Sequence, residues 1–360
     1  MSNKFDLLLA GAGHAHLGVL RLWAGDKPPG GRIGLISPDQ HAWYSGMLPG
    51  LLTGRYKTDQ CRIDLQPLCQ AAGIEFISSA VTSLQPEANL LHLDTGETLQ
   101  SEWISLNLGS LPRPPESEDA GMELLPVKPF SSFISRWEQW QKKPQRLAIL
   151  GGGAAGVELA LALARTVPSL ALFSAANILA GHAPALRGAA IRHLHQLGVE
   201  LHERCPVDRI LGGALISKGE IVWRGVRLIL TTGASPLGWL CESGLSCNEQ
   251  GFIQVSPTLQ SVSHPQIFAA GDCANLVDTP RNGVYAVRQG PVLAANLASA
   301  LKGELFTNYV PQRIALALLS DGEGGAMMSW AGFIAEGSFI GKWKDYLDRR
   351  FMTRHRASKQ

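Results

Sequence analysis

Hydrophobic residues in this chain come mostly in short unbroken runs closed by glycine or proline, with helix-forming stretches between them. Residues 146–150, ending Leu-Ala-Ile-Leu, predict a buried parallel strand. Strands are predicted in the same way at 5–10, 32–37, 75–80, 103–108, 170–173, 199–201 and 267–270. Residues 154–165 hold strong helix formers and no proline, which predicts a helix. Further helices are predicted from residue 14 to about Trp23, at 63–72 closed by Gly73, at 130–141, at 186–197 closed by Gly198, and at 285–301. The cluster Asp26-Lys27-Pro28-Pro29-Gly30-Gly31 breaks the first helix. A hairpin turns at residues 94–97, and residues 221–230 read as strands of a meander.

Two of the strand-to-helix junctions carry glycines at nucleotide-binding spacing. In GGGAAGVE, Gly151 can take the tight turn, Gly153 lets the backbone approach a pyrophosphate, and Gly156 lets the helix lie close on the strand. Ala154 and Ala155 then open the helix, with its first N–H groups facing the phosphates. GAGHAH is a degenerate copy containing Gly11, Gly13, His14 and Ala15, with His16 at the third glycine position. That histidine implies either looser helix packing or a side chain aimed at the ligand. Each junction is followed by a strand whose end lacks the acid often found at a ribose: Ser37 stands at the first, with Asp39 two residues on, and Ser174-Ala175-Ala176 at the second.

Residues 41–56, which contain Ser45-Gly46 and Pro49-Gly50 among aromatics, read as a ligand-facing wall, with an ordinary connecting loop as the alternative. Each nucleotide-binding block ends in a strand followed by G-x-x-P, at Gly109 and at Gly233, so the chain holds an internal duplication. A strand at 267–270 leading to Gly271-Asp272 would complete the first block after the second has been traversed. The expected architecture is α/β, with two Rossmann-like (ββα-type) dinucleotide-binding domains, the second inserted in the first. Expected bounds are 1–112 and 251–310 for one domain, 113–250 for the other, and 311–360 for a C-terminal segment. The first boundary falls in the proline-rich acidic link at 112–119.

With 360 residues, 45% of them hydrophobic, 39 glycines and 21 prolines, the composition suits a multi-lobed α/β protein with many tight turns. A net charge of +2 gives no global argument for nucleic acid. No apolar run approaches a membrane span, and the N-terminus leads straight into a strand rather than a signal peptide, so a cytoplasmic protein is expected. The six cysteines include no CxxC pair and read as inert thiols. Residues 342–360 set seven Lys or Arg against Asp345 and Asp348, with Trp343, Tyr346, Leu347 and Phe351 at helical spacing. Such a stripe either packs on the protein or rests on a membrane surface, here the inner face.

GAGHAH, GGGAAGVE and AAGDCA, in that order, resemble the FAD, NAD(P) and second FAD motifs of the two-dinucleotide-binding-domain flavoproteins, the pyridine nucleotide-disulfide oxidoreductase superfamily. HLGVLRL, LISPDQHAWYSGMLPG, RIDLQPL, NLGSLP, VKPF, GVYAVRQGPVLAANL, PQRIALALLS and WKDYLDRRFM resemble the branch fused in front of selenide, water dikinase, itself similar to type II NADH dehydrogenases. No kinase domain follows Gln360, so a stand-alone member is expected.

The resemblance implies FAD held at Gly11, Gly13 and His14, with Asp272 on a ribityl or pyrophosphate-side hydroxyl. It also implies a helix starting near Val284 and Tyr285 whose free N–H groups face the flavin's pyrimidine edge. Glu158 matches an acid kept near the nicotinamide, and Lys128 could reach the flavin N5 side. Ala15, Ser37, Pro49, Gly109, Gly233 and Gly271 complete the expected cofactor contacts. The implied activity is an FAD-dependent NAD(P)H dehydrogenase giving electrons to a quinone-like acceptor. Alternatives are oxidation of a sulfur or selenium compound, or a nucleotide-bound interaction module associated with selenophosphate synthesis. The family's CxxxxC is missing from residues 41–54, which argues against a redox-active disulfide.

Overall fold

The structure is a computed structural model and describes residues 3–25, 28–117 and 121–356. Asp26 and Lys27 of the expected helix break, residues 118–119 of the expected link and Lys359 of the tail lie outside the described residues.

The first sheet contains β1 (Lys4–Ala10), β2 (Ile33–Ser37), β3 (Glu75–Ser78), β4 (Val81–Gln85), β5 (Leu90–Leu93) and β6 (Thr98–Leu106) in the order β3-β2-β1-β6-β5-β4. The first four are parallel; β5 runs antiparallel to β6 across the expected turn at 94–97, and β4 antiparallel to β5 across residues 86–89. Residues Leu7 to Ala10 are fully buried because helices and loops cover both faces, which is why this strand is apolar at successive positions rather than alternately. Helix α1 (His14–Gly25) follows β1.

The second sheet contains β7 (Glu123–Pro126), β8 (Leu147–Leu150), β9 (Leu170–Phe173), β10 (Glu200–His202) and β11 (Arg227–Leu230) in the order β7-β11-β8-β9-β10, all parallel. Helices α2 (Phe130–Gln141), α3 (Ala154–Leu163) and α4 (Pro184–Gln196) connect these strands. Residues 227–230 correct the meander expectation: β11 lies between β7 and β8, buried on both faces, and only Arg209–Leu211, Ala214–Ser217 and Glu220–Arg224 form the antiparallel meander. Residues 63–64 are also corrected. Arg62–Asp64 pairs with His41–Trp43 as a ribbon, and the helix starts only at Leu65, where the Asp64 side chain accepts the Gln66 N–H at 3.3 Å.

The chain then returns to the first sheet, where β12 (Ile267–Ala269) pairs parallel with the second half of β6. Helix α5 (Gly283–Lys302) packs along α1, with Gly18 and Gly290 facing each other closely enough to bring the two backbones together. The two G-x-x-P ends meet: Leu111–Pro112 pairs antiparallel with Ala234–Ser235, joining the ends of the two sheets. Beyond α5 stands a three-stranded antiparallel sheet, β13 (Ala317–Ser320), β14 (Ala326–Trp330) and β15 (Phe333–Gly337), followed by α6 (Ser338–His355). Leu319 and Met327 of this segment enter the core of the second sheet and Met352 that of the first, so it spans both.

Candidate functional site

Close backbone approach explains the glycines of both turns. At the second, Gly151 has φ 128°, and a Cβ on Gly156 would overlap the Gly151 carbonyl oxygen, so no larger residue lets α3 lie this close to β8. Gly153 and Gly233 face open space. First-turn N–H groups have no intrahelical partner, so those of Ala154 and Ala155 are available at the exposed turn.

At the first turn the organising residue is Asn107, just beyond β6. Its Oδ1 accepts the N–H groups of Ala15 at 3.1 Å and His16 at 3.2 Å, and its Nδ2 donates to the Ala270 carbonyl at 2.6 Å. A Cβ on Gly13 would overlap Oδ1, and one on Gly271 would meet Nδ2. Asn107 therefore laces the α1 turn, the β6 end and the β12 end together. In the sequence it shows only as a lone amide just beyond an apolar strand. The His16 ring is fully buried, with Nδ1 2.6 Å from the Gly11 carbonyl and Nε2 2.8 Å from Ser105 Oγ. A carbonyl only accepts, so Nδ1 carries the proton and Nε2 accepts from the Ser105 hydroxyl. Burial pulls this histidine down to about 4, so it is neutral and turned away from any ligand.

His14 faces the other way. Its ring lies 5.8 Å from those of Tyr44 and Phe351, Tyr44 stacks on Phe351 at 4.2 Å, and Phe351 stacks on His355 at 4.0 Å. Beside it, Lys128 Nζ donates to Asp272 Oδ2 at 2.7 Å, and the Ser110 hydroxyl, next to Gly109, reaches the same oxygen at 3.5 Å. Burial, opposed by Asp272 and helped by Lys128 and His355, lowers His14 to about 4. The strand ends thus bring Gly11, Gly13, His14, Gly109, Lys128, Gly271 and Asp272 to one place.

Other candidates are engaged by the protein itself. The Ser37 hydroxyl donates to the Asp39 carbonyl at 3.0 Å, and the Asp39 carboxylate takes the His41 N–H at 3.0 Å and the Trp43 indole N–H at 3.1 Å. Pro49 lies in the short helix Leu48–Leu52, whose leucines enter the core beside α3. At the start of α5, the Val284 and Tyr285 N–H groups are not free: Asn282 Oδ1 accepts both, at 3.0 and 3.3 Å. The Tyr285 hydroxyl donates to the Gln312 carbonyl at 3.2 Å.

Glu158, on α3, accepts the Ser320 N–H at 2.7 Å. Nearby on α6, Lys344 Nζ donates to Asp348 Oδ2 at 2.9 Å and to the Gly46 carbonyl at 2.7 Å, and the Tyr44 hydroxyl bonds Asp348. Burial raises the proton affinity of both Glu158 and Asp348, with Lys344 opposing it, and burial with Asp348 raises that of Tyr44. Lys344 thus pairs with Asp348 and stabilises the charge of Glu158 only through its field. Lys344 and Asp348 look like part of a solvated basic tail in the sequence, yet both are at least nine-tenths buried.

The family model described as pyridine nucleotide-disulphide oxidoreductase matches residues 5–290. Among curated proteins, the mercuric reductase of Acidithiobacillus ferrooxidans is 28% identical over 160 residues, 43% of this chain and 28% of that protein. The alternative NAD(P)H-ubiquinone oxidoreductase C1 of Arabidopsis thaliana is 25% identical over 305 residues, 69% of this chain and 56% of that protein. This chain therefore spans between about a quarter and just over half the length of these relatives. Among solved structures, the sulfide:quinone oxidoreductase of Aquifex aeolicus aligns with a TM-score of 0.79 at 14% identity, covering 100% of this chain and 93% of that one.

Proposed function

The chain belongs to the pyridine nucleotide-disulphide oxidoreductase family, and from that premise we propose that it passes electrons from NAD(P)H through FAD to a quinone-like acceptor, in the manner of a type II NADH dehydrogenase and without a redox-active disulfide. It is a flavin-dependent pyridine nucleotide oxidoreductase, and its cofactors are FAD and NAD(P)H. Bound FAD supplies the two-electron chemistry by accepting a hydride equivalent from the nicotinamide.

The residues present fit both groups, because first-turn N–H groups without an intrahelical partner and the open space in front of Gly109 and Gly153 leave room for them. Gly11, Gly13 and His14 hold the flavin nucleotide, and the Asp272 carboxylate accepts its hydroxyls, steered by Lys128. Residues 1–112 and 251–310 form this half of the molecule. Gly151, Gly153, Ala154, Ala155 and Gly156 hold the exchangeable dinucleotide, in residues 113–250.

The cluster of Glu158, Lys344, Asp348 and Tyr44 carries the choice of acceptor. A quinone that gains two electrons takes up two protons, and burial raises the proton affinity of the Glu158 carboxyl, which suits it to deliver one of them. Tyr44 joins this cluster to the His14 turn through its ring. A relative named for ubiquinone reduction, the Arabidopsis thaliana oxidoreductase at 25% identity, supports an acceptor of this class. The alternative, oxidation of a sulfur compound, needs a reactive thiol, but Cys273 donates to the Ala270 and Leu106 carbonyls and burial pushes it up to about 11. After anaerobic reduction of the protein with NAD(P)H, a short-chain ubiquinone is expected to restore the flavin band within seconds. In Glu158→Gln that step should slow by roughly 10²-fold or more, as for loss of a general acid. Reduction of the flavin by sulfide alone, with no response to quinone, would sink the proposal.

A further inference from the structure

We infer that the nicotinamide cosubstrate is NADPH, bound at its 2′-phosphate by Arg204 with Arg187 beside it. This rests on the proposed dinucleotide role of the Gly151 turn and deepens it.

An NADH site commonly sets an acid at the end of its second strand, where it holds both ribose hydroxyls and repels a 2′-phosphate. That position is Ser174, 4% exposed, and a Cβ on Gly152 would overlap its Oγ, so the hydroxyl is tucked under the glycine turn. Exposed Ala175 and Ala176 follow. The carboxylate bound to this loop is Glu203, and it is committed elsewhere. Its Oε1 accepts the Ile178 N–H at 2.7 Å, and its Oε2 pairs with Arg187. Burial works against its charge, but Arg187, the Ile178 N–H and Arg204 together hold it below the usual glutamate range.

Arg204 comes next in the chain and does the opposite of Glu203. It leaves β10 with a left-handed backbone, φ 54°, and its N–H donates to the Ala176 carbonyl at 3.1 Å. Its Nε donates to Asn177 Oδ1 at 3.1 Å. Those two bonds hold the guanidinium over the 174–178 loop. Its terminal nitrogens pair with no carboxylate among the described residues. Arg187 adds a buried Nε that has no acceptor among the described residues. Glu200, the other acid nearby, is taken by Arg146 at 3.5 Å and His202 at 2.8 Å.

Two guanidiniums therefore meet one carboxylate where an NADH site would present net negative charge. A phosphate there can accept from the fork of Arg204, and charge-assisted bonds of that kind are strong and geometrically selective. The sequence hid this arrangement because Arg204 lies 30 residues after Ser174, just beyond the end of the next strand, yet only one loop away in space.

Titration calorimetry of the FAD-loaded protein with adenosine 2′,5′-bisphosphate and with adenosine 5′-monophosphate separates the possibilities without turnover. The bisphosphate is expected to bind at least tenfold more tightly. Arg204→Ala should abolish that advantage while leaving the monophosphate unchanged, and Arg204→Lys should restore part of it. Equal binding of the two nucleotides, or an advantage that survives Arg204→Ala, overturns the assignment while leaving a dinucleotide site in place. Binding of neither overturns the assignment and the proposed dinucleotide role of the turn together.

Discussion

Asp272 and Lys128 are joined across 144 positions of sequence by a 2.7 Å ion pair at the mouth of the first turn. The carboxylate is one-fifth exposed and the lysine one-third, so the pair is open enough for a ligand hydroxyl to insert. Asp272→Ala is expected to weaken FAD retention by roughly tenfold to a hundredfold, the size of a lost hydrogen bond to a charged group. Lys128→Met removes the ion pair but keeps the acceptor, and should change retention less. Flavin-to-protein ratios after gel filtration read both, and undiminished flavin in Asp272→Ala would refute the assignment. The glycines and Asp272 were legible in the sequence because strand, turn and helix follow one another directly. Asn107, Asn282, Lys344 and Asp348 were not, since an isolated polar residue shows its purpose only when distant backbone groups come to meet it.

Helix α6 illustrates how one sequence stripe divides in space. The pattern Trp343, Tyr346, Leu347, Phe351 suggested a single apolar face, but Phe351 turns inward onto Tyr44 and His355 beside buried Met352. Phe339, 78% exposed, and Tyr346, 58% exposed, face outward with Trp343, and Phe333 of β15 is also exposed. The seven basic residues divide as well, since Lys344 and Arg349 pair with Asp348 and Asp345 while Lys342 and Arg350 remain exposed. We propose that this outer face of aromatics and cations meets an anionic membrane surface. Among the described residues no helix is long and apolar enough to cross a membrane. Co-sedimentation with anionic vesicles should fall at least fivefold in a Phe339→Ser, Tyr346→Ser double variant; unchanged binding would exclude this face. The strands preceding α6 are harder to read from the sequence: Ile314 to Leu319 is apolar throughout, but β14 and β15 are half-exposed and their connections rich in glycine, so neither shows the continuous apolar run of a buried strand. β11 was misassigned for a related reason. It opens on Arg227, a buried cation whose Nη1 donates to the Trp140 and Lys143 carbonyls at 3.0 and 2.7 Å, which disguises a central strand as part of the meander.

Across the whole molecule, the two G-x-x-P ends pair with one another, and the C-terminal segment anchors in both cores. The duplication was legible because both halves use the same apolar run and glycine turn. Their relative placement was not, since it depends on that two-residue ribbon and on α6 reaching the loop at Tyr44 and Gly46. This assembly leaves Tyr44 in contact with the His14 turn through its ring and with Asp348, beside Glu158, through its hydroxyl. The most direct test is anaerobic stopped-flow absorbance of the FAD-loaded protein mixed with NADPH and, separately, NADH. The account expects the flavin band to bleach with both, and with NADPH at least tenfold faster at equal subsaturating concentration. A band unchanged by either nucleotide would contradict it.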